Sequence, residues 1–138
     1  MKTIVLPRLL SLLLVALAGG ALLSAADGEK SKGYKNVGVE EFDKLRADKN
    51  SVVLDVRTKK EFDAGHIPGA VHIDWNGADF AKEVSALDPS KTYLVHCASG
   101  RRSASACGLM SAKLQFPNCV NLEGGFKGWE KAKKPVEK

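Results

Sequence analysis

Cys97 is the residue best placed to do chemistry. It follows the apolar run Tyr93-Leu94-Val95-His96 and opens the segment Ala98-Ser99-Gly100-Arg101-Arg102-Ser103. A cysteine there stands at the carboxyl end of a buried strand, where open α/β sheets form their sites. Gly100 allows a backbone turn that a larger residue would resist. The helix expected from about Ser103 to Leu114 brings the positive end of its dipole to the same place. Loop N–H groups pointing inward and the fixed charges of Arg101 and Arg102 complete a cradle for an anion. A thiol in such surroundings loses its proton easily, with thiolate pKa values of about 3.5–7.5. Most free cysteines are small buried hydrophobes. The combination of strand, glycine-bearing loop, two arginines and helix start sets Cys97 apart and points to a sulfur nucleophile acting beside an anion.

The remaining reactive types are more ordinary. Cys107 falls on the helix face of Ser103, Met110 and Leu114, so a core role is expected. Cys119 follows Pro117-Asn118 in an expected turn, where a resolving or disulfide role stays open. His96 precedes Cys97 in a strand, so the two side chains should point to opposite faces. His66 belongs to a turn and is expected to hydrogen-bond. No Cys or His pair has the spacing of metal ligands, and the absence of a C-x-x-C pair removes the usual thioredoxin-like reading.

The elements that must position Cys97 can be read from periodicity. Val39, Phe42 and Leu45 recur at three-residue spacing and predict a short amphipathic helix. Ser51–Val56 is a β-branched run suited to a strand buried on both faces. Thr58 and Glu61 have capping-box spacing ahead of a helix over Lys59–Ala64, with Gly65 as a left-handed terminator. Ile67-Pro68-Gly69-Ala70 fits a type II turn, and Val71-His72-Ile73 a short strand. Phe80, Val84 and Leu87 mark another helix; Val120–Leu122 makes a last strand, and Gly124-Gly125 turn the chain into a closing helix around Trp129. Alternating strands and helices predict an α/β domain with a mostly parallel sheet flanked by helices on both faces.

The chain has 138 residues and a net charge of +5, enough for one domain. Its 16 acidic residues all lie beyond residue 26. Lys2 and Arg8, the apolar run Leu9–Ala18 and the small residues Ser24-Ala25-Ala26 read as an export signal over residues 1–26. Cleavage near Ala26 would send the protein to the periplasm or outside the cell. The alternative is an N-terminal membrane anchor, and membrane association is expected only if that segment stays uncleaved. Residues 27–35 read as a polar leader, 36–133 as the domain and 134–138 as a loose charged tail. The charges of the domain are mixed in sign and form no dense basic patch, so nucleic acid is not an expected partner.

Three segments resemble the rhodanese-like sulfurtransferases. Asp55-Val-Arg57 with Glu61-Phe62 and Gly65-His66-Ile67-Pro68-Gly69-Ala70 resembles their first signature, and Cys97-Ala-Ser-Gly-Arg-Arg-Ser103 their active-site loop. Leu122-Glu-Gly-Gly-Phe126 with Gly128-Trp129 resembles the C-terminal signature. The three come in the family's order and span about Val37 to Lys131. The resemblance implies a single rhodanese-like domain in which the Cys97 thiolate takes the outer sulfur of a small anionic donor such as thiosulfate. The persulfide, held by the N–H groups of Ala98 to Arg102, then passes its sulfur to cyanide, a thiol or a protein thiol. The resemblance implies no metal and no organic cofactor, and it makes Asp55 and Arg57 supports of the loop. This loop has Ala98 and Ser99 where two-domain thiosulfate enzymes carry basic residues. The alternatives are a non-catalytic rhodanese module for partner binding or sulfur carriage, and a cysteine-based phosphatase or arsenate reductase. The phosphatases need arginine six positions after cysteine, where this chain has Ser103.

Overall fold

A computed structural model describes residues 33–138; the expected export signal over residues 1–26 lies outside the described residues. Five strands, β1 (Lys35–Val37), β2 (Ser51–Asp55), β3 (Val71–His72), β4 (Thr92–His96) and β5 (Cys119–Leu122), form one sheet in the order β1-β5-β4-β2-β3. Every pairing is parallel. Helices α1 (Val39–Arg46), α2 (Lys59–Ala64), α3 (Phe80–Ser85) and α4 (Arg101–Ala112) connect successive strands, and α5 (Gly125–Lys131) follows the last. The α/β class with a parallel sheet is therefore the fold.

Strand alternation divides the core into two layers. On one face Leu54, Tyr93, Val95 and Cys97 pack with Ala106, Cys107 and Met110 of α4 and with Phe80 and Val84 of α3. On the other face Val53, Leu94, Val120 and Leu122 pack with Phe42 of α1 and with Phe126 and Trp129 of α5. Because both faces are covered, β4 and β5 are apolar along most of their length rather than alternating.

Local signals act as expected at several points. The Thr58 side chain accepts from the Glu61 N–H while the Glu61 side chain accepts from the Thr58 N–H, a complete capping box. The Ala70 N–H donates to the Ile67 carbonyl across a turn in which Gly69 has φ +79°. Four expectations are corrected. Gly65 ends α2 with φ +158° and ψ +138°, not in the left-handed helical region. The leader boundary at residue 35 moves, since Lys35–Val37 pairs in parallel with β5; this edge strand is too short and polar for periodicity to signal. Helix α4 starts at Arg101, two residues early, because Gly100 already supplies the turn. Residues 134–138 are not loose: the Trp129 Nε1–H donates to the Pro135 carbonyl at 2.7 Å, and Glu137 forms an antiparallel bridge with His66. Composition gave no sign of these partners, which lie across the fold. Among the described residues no helix is long and apolar enough to cross a membrane.

Candidate active site

The end of β4 delivers Cys97 into the loop, and Gly100 turns the chain straight into α4. Gly100 adopts φ +102°, and a Cβ there would stand 3.3 Å from the Leu122 carbonyl oxygen, so the position needs glycine for both conformation and space. The turn aims the Gly100 N–H at the Cys97 sulfur, 3.1 Å away, and the Ser103 hydroxyl donates to the same sulfur at 3.4 Å. Cys97 is only 1% exposed. Burial alone would push its thiol up, but the Ser103 hydroxyl and the N–H groups of Ser103, Ser99 and Gly100 favour the anion and bring it below its ordinary value. Ala98 and Gly100 are half-buried, Ser99 and Arg101 exposed, and Ser103 buried.

Arg102 lies in the first turn of α4, where a cation opposes the helix dipole. Glu61 of α2 compensates. Arg102 Nη1 and Nη2 donate to Glu61 Oε1 and Oε2 at 2.9 and 3.1 Å, a two-pronged pair. Arg102 with the Thr58 N–H and hydroxyl holds the Glu61 carboxyl well below its usual range, at about 2. The capping box of α2 and the first turn of α4 are thereby tied together beside the sulfur. Sequence spacing cannot show this pair, whose members are 41 residues apart.

A second set of contacts supports the loop from below. The Phe126 N–H donates to the Cys97 carbonyl at 2.7 Å, and the Lys127 N–H to the Ala98 carbonyl at 3.0 Å. Their close approach depends on Gly125, where a Cβ would fall 2.5 Å from the Ala98 carbonyl. Asp55, the last residue of β2, and Arg57 just beyond it are a buried pair: Arg57 Nη2 lies 2.7 Å from Asp55 Oδ2, and Arg57 Nε 2.9 Å from Oδ1. Arg57 also donates to the Gly65 carbonyl at 2.8 Å, and its guanidinium lies over the Phe126 ring at 4.1 Å. Asp55 and Arg57 thus connect β2, the end of α2 and the start of α5 under the loop. The Leu122–Phe126 signature already singled out Gly125 and Phe126; what they touch was not legible.

Beside the loop is an open cleft of ≈ 290 Å³, lined among others by Arg57, Glu61, Ala98, Phe126 and Lys127. It borders the Cys97 loop at Ala98. Among the described residues no cluster of three His, Cys, Asp or Glu side chains is arranged to hold a metal ion. The placement of Cys119 in a turn is corrected: it is the first residue of β5, 3% exposed, with its Sγ 3.6 Å from the Phe116 carbonyl. His66 accepts the expected bonding role, its Nδ1 lying 2.9 Å from the Phe62 carbonyl.

The family profile of the rhodanese-like domain matches residues 38–132. The YtwF protein of Bacillus subtilis (strain 168) is 38% identical over 93 residues, 67% of this chain and 86% of its own length. Thiosulfate sulfurtransferase GlpE of Pseudomonas entomophila (strain L48) is 35% identical over 97 residues, covering 70% of this chain and 84% of that one. Among solved structures, the crystal structure of a rhodanese-related protein from Thermoplasma volcanium superposes with a TM-score of 0.64 at 28% identity, covering 75% of this chain and 98% of that chain.

Proposed function

The chain belongs to the rhodanese-like domain family and is of the rhodanese sulfurtransferase type; from that premise we propose that it moves a sulfane sulfur from a donor such as thiosulfate, through a persulfide on Cys97, to cyanide or a thiol. The observation that carries this reading is the Cys97 sulfur itself, buried yet met by the Gly100 N–H and the Ser103 hydroxyl. In the first step the thiolate attacks the outer sulfur of thiosulfate. The Cys97 S–S bond forms as the donor S–S bond breaks, and sulfite leaves with the electron pair. Charge is conserved, since thiolate plus dianion gives persulfide anion plus sulfite dianion. In the second step the acceptor attacks the outer sulfur and Cys97 leaves as thiolate.

The cradle stabilises the anion in both steps, so it need not reorganise between them. The cleft beside Ala98 and Phe126 is the proposed approach for donor and acceptor. Arg101 and Arg102 would favour an anionic donor in the encounter. A phosphatase reading gains no support from the loop, because Ser103 occupies the position that chemistry needs for arginine and its hydroxyl is already on the sulfur. A partner-binding module without chemistry would not need a thiol held below its ordinary range. The composition of residues 1–26 supports export to the periplasm or beyond, which N-terminal sequencing of the expressed protein would test by a start near Asp27.

Intact-mass measurement after thiosulfate treatment tests the intermediate. The expected result is a gain of one sulfur atom, removed by cyanide or reductant and absent in Cys97→Ser. A wild-type protein that gains no sulfur, or a Cys97→Ser variant that still does, would overturn the proposal.

A further inference from the structure

His96 ends β4 and is fully buried, on the sheet face opposite the Cys97 sulfur. Its ring packs edge-on against Phe42 at 6.3 Å and stacks on Phe126 at 5.9 Å. Both ring nitrogens face acceptors. Nδ1 lies 3.2 Å from the Cys97 carbonyl oxygen. Nε2 lies 3.5 Å from Asp55 Oδ2 and has no hydrogen-bond partner. A neutral imidazole has a single N–H. Either neutral tautomer therefore leaves a lone pair facing an oxygen, and the imidazolium alone could donate on both sides.

The influences on the ring oppose one another, and their balance lies on the neutral side. Burial pushes the His96 ring below its ordinary pKa, and Arg57 and His66 push the same way, while Asp55 and the Cys97 carbonyl push it up. Asp55 and Arg57 face it from the end of β2, and His66 from the turn after α2. Helices α1 and α5 contribute the uncharged rings of Phe42 and Phe126. An anion arriving just across the sheet would shift that balance toward the charged ring.

Building on the reading of Cys97 as nucleophile, we propose that His96 is its positioning residue: Nδ1–H holds the Cys97 carbonyl, and the ring gains a second proton, shared through Nε2 with Asp55, when the Cys97 sulfur becomes an anion. The thiol proton leaves to solvent on one face, and His96 takes one from solvent on the other. The net charge of the two sites together is unchanged. Conversion of thiolate to persulfide anion alters neither charge, so the imidazolium persists through both steps. By linkage, a ring that charges with the sulfur makes the thiolate easier to form. His96 shares the Cys97 carbonyl with the Phe126 N–H, so it also fixes where the loop begins.

Two variants separate these effects. His96→Phe keeps a ring of similar shape and removes both nitrogens. His96→Asn places an amide N–H where Nδ1 stands but cannot charge. The rate of Cys97 alkylation by iodoacetamide, followed across the pH range of thiol ionisation, reads the thiolate without any sulfur transfer. In His96→Phe the midpoint of the profile should move up and the neutral-pH rate fall about tenfold. His96→Asn should recover part of that rate while its midpoint stays above that of the wild type. Coincident wild-type and His96→Phe profiles would overturn the proposal, and a His96→Asn no better than His96→Phe would remove the carbonyl hold.

Nitrogen chemical shifts of the His96 ring in the wild-type chain give a readout independent of any variant's folding. They should move toward imidazolium between the thiol and the thiolate forms; unchanged shifts would again overturn the proposal. If the wild-type thiol shows these dependences but gains no sulfur from thiosulfate, the sulfur-transfer reading fails and the His96 inference stands. Sulfur gain with coincident profiles gives the reverse.

Discussion

Cys97 and Cys107 lie in the same apolar layer, 1% and 0% exposed, and their thiols are pushed in opposite directions. The neighbouring Cys119 sulfur and burial together hold the Cys107 thiol up. At Cys97 burial works in the same sense but is outweighed by donors from Ser103, Ser99 and Gly100. Cys97 precedes the first turn of α4, and Cys107 lies within its second turn. The difference is positional: the first N–H groups of a helix have no internal partners and can face an anion, while those of the second turn are already bonded within the helix. Burial excludes water from both thiols, and the Ser103 hydroxyl with free N–H groups at the helix start lowers the pKa of only one of them.

The contrast between the two thiols should weaken most on replacement of Gly125, which lets α5 press on the loop. Gly125→Ala would force a Cβ to within 2.5 Å of the Ala98 carbonyl at a residue with φ +58°. A left-handed non-glycine residue and an overpacked contact together should cost about 3 kcal/mol or more. Urea unfolding should show that loss, and any folded fraction should alkylate Cys97 slowly, as is expected of Cys107. A variant with unchanged stability and thiol reactivity would mean that α5 does not set the loop.

Arg102→Ala comes next. A guanidinium beside the cradle should assist the approach of a dianionic donor, and its partial exposure limits that to about 1–2 kcal/mol, or roughly tenfold in kcat/KM for thiosulfate. Alkylation of Cys97 by a neutral reagent should change little once any shift in its thiolate fraction is allowed for. The same substitution also tests acid stability. Glu61 titrates at about 2 in the fold against an ordinary 4.5, so its stabilisation is complete above the ordinary value and is lost as pH falls toward the lower one. Urea unfolding at a series of pH values across that window should show a flatter acid limb in Arg102→Ala.

How far the site was legible follows from the range of its interactions. The capping box at Thr58 and Glu61, the Ile67–Ala70 turn and the strand leading to Cys97 are local, so residue types at short spacing were enough to place them. The Glu61–Arg102 pair, the press of Gly125 on Ala98 and the bridge between Glu137 and His66 join segments far apart in sequence. No periodicity encodes them. Cys119 was misplaced for a related reason: Pro117-Asn118 does mark a turn, but β5 begins one residue sooner than its apolar run suggested. Strand parity points the His96 side chain away from the sulfur, and its contact with the Cys97 carbonyl depends on ring geometry that parity does not reveal.

A smaller change probes one donor at a time. Ser103→Ala removes the hydroxyl that lies 3.4 Å from the sulfur and leaves the Gly100 N–H in place. A long bond to sulfur is worth about 1 kcal/mol, so the thiolate fraction near neutral pH should fall about fivefold. The midpoint of the alkylation profile should rise correspondingly, with little change in unfolding free energy. If the profile stays put, the backbone donors alone account for the low Cys97 pKa.

The smallest effect on turnover, and the cleanest contrast, is expected at the other two thiols. Cys107 is 0% exposed and Cys119 3% exposed, and the proposed chemistry needs neither. Cys107→Ala and Cys119→Ala should each keep most of the sulfur transfer from thiosulfate to cyanide. Each should lose about 1 kcal/mol of stability, because a small cavity replaces a packed sulfur. Under native conditions a limiting amount of neutral alkylating reagent should label one thiol per chain, and all three after unfolding, as peptide mass mapping would resolve. Labelling of Cys107 at a rate near that of Cys97 would show that burial protects neither thiol and that helix position is not what separates them. Persulfide formation without turnover in Cys119→Ala would instead make Cys119 a resolving thiol. The sulfur would then have to travel from the loop to β5, across a core layer that the packing around Met110 and Phe116 fills. That packing is the physical reason to expect Cys97 to act alone.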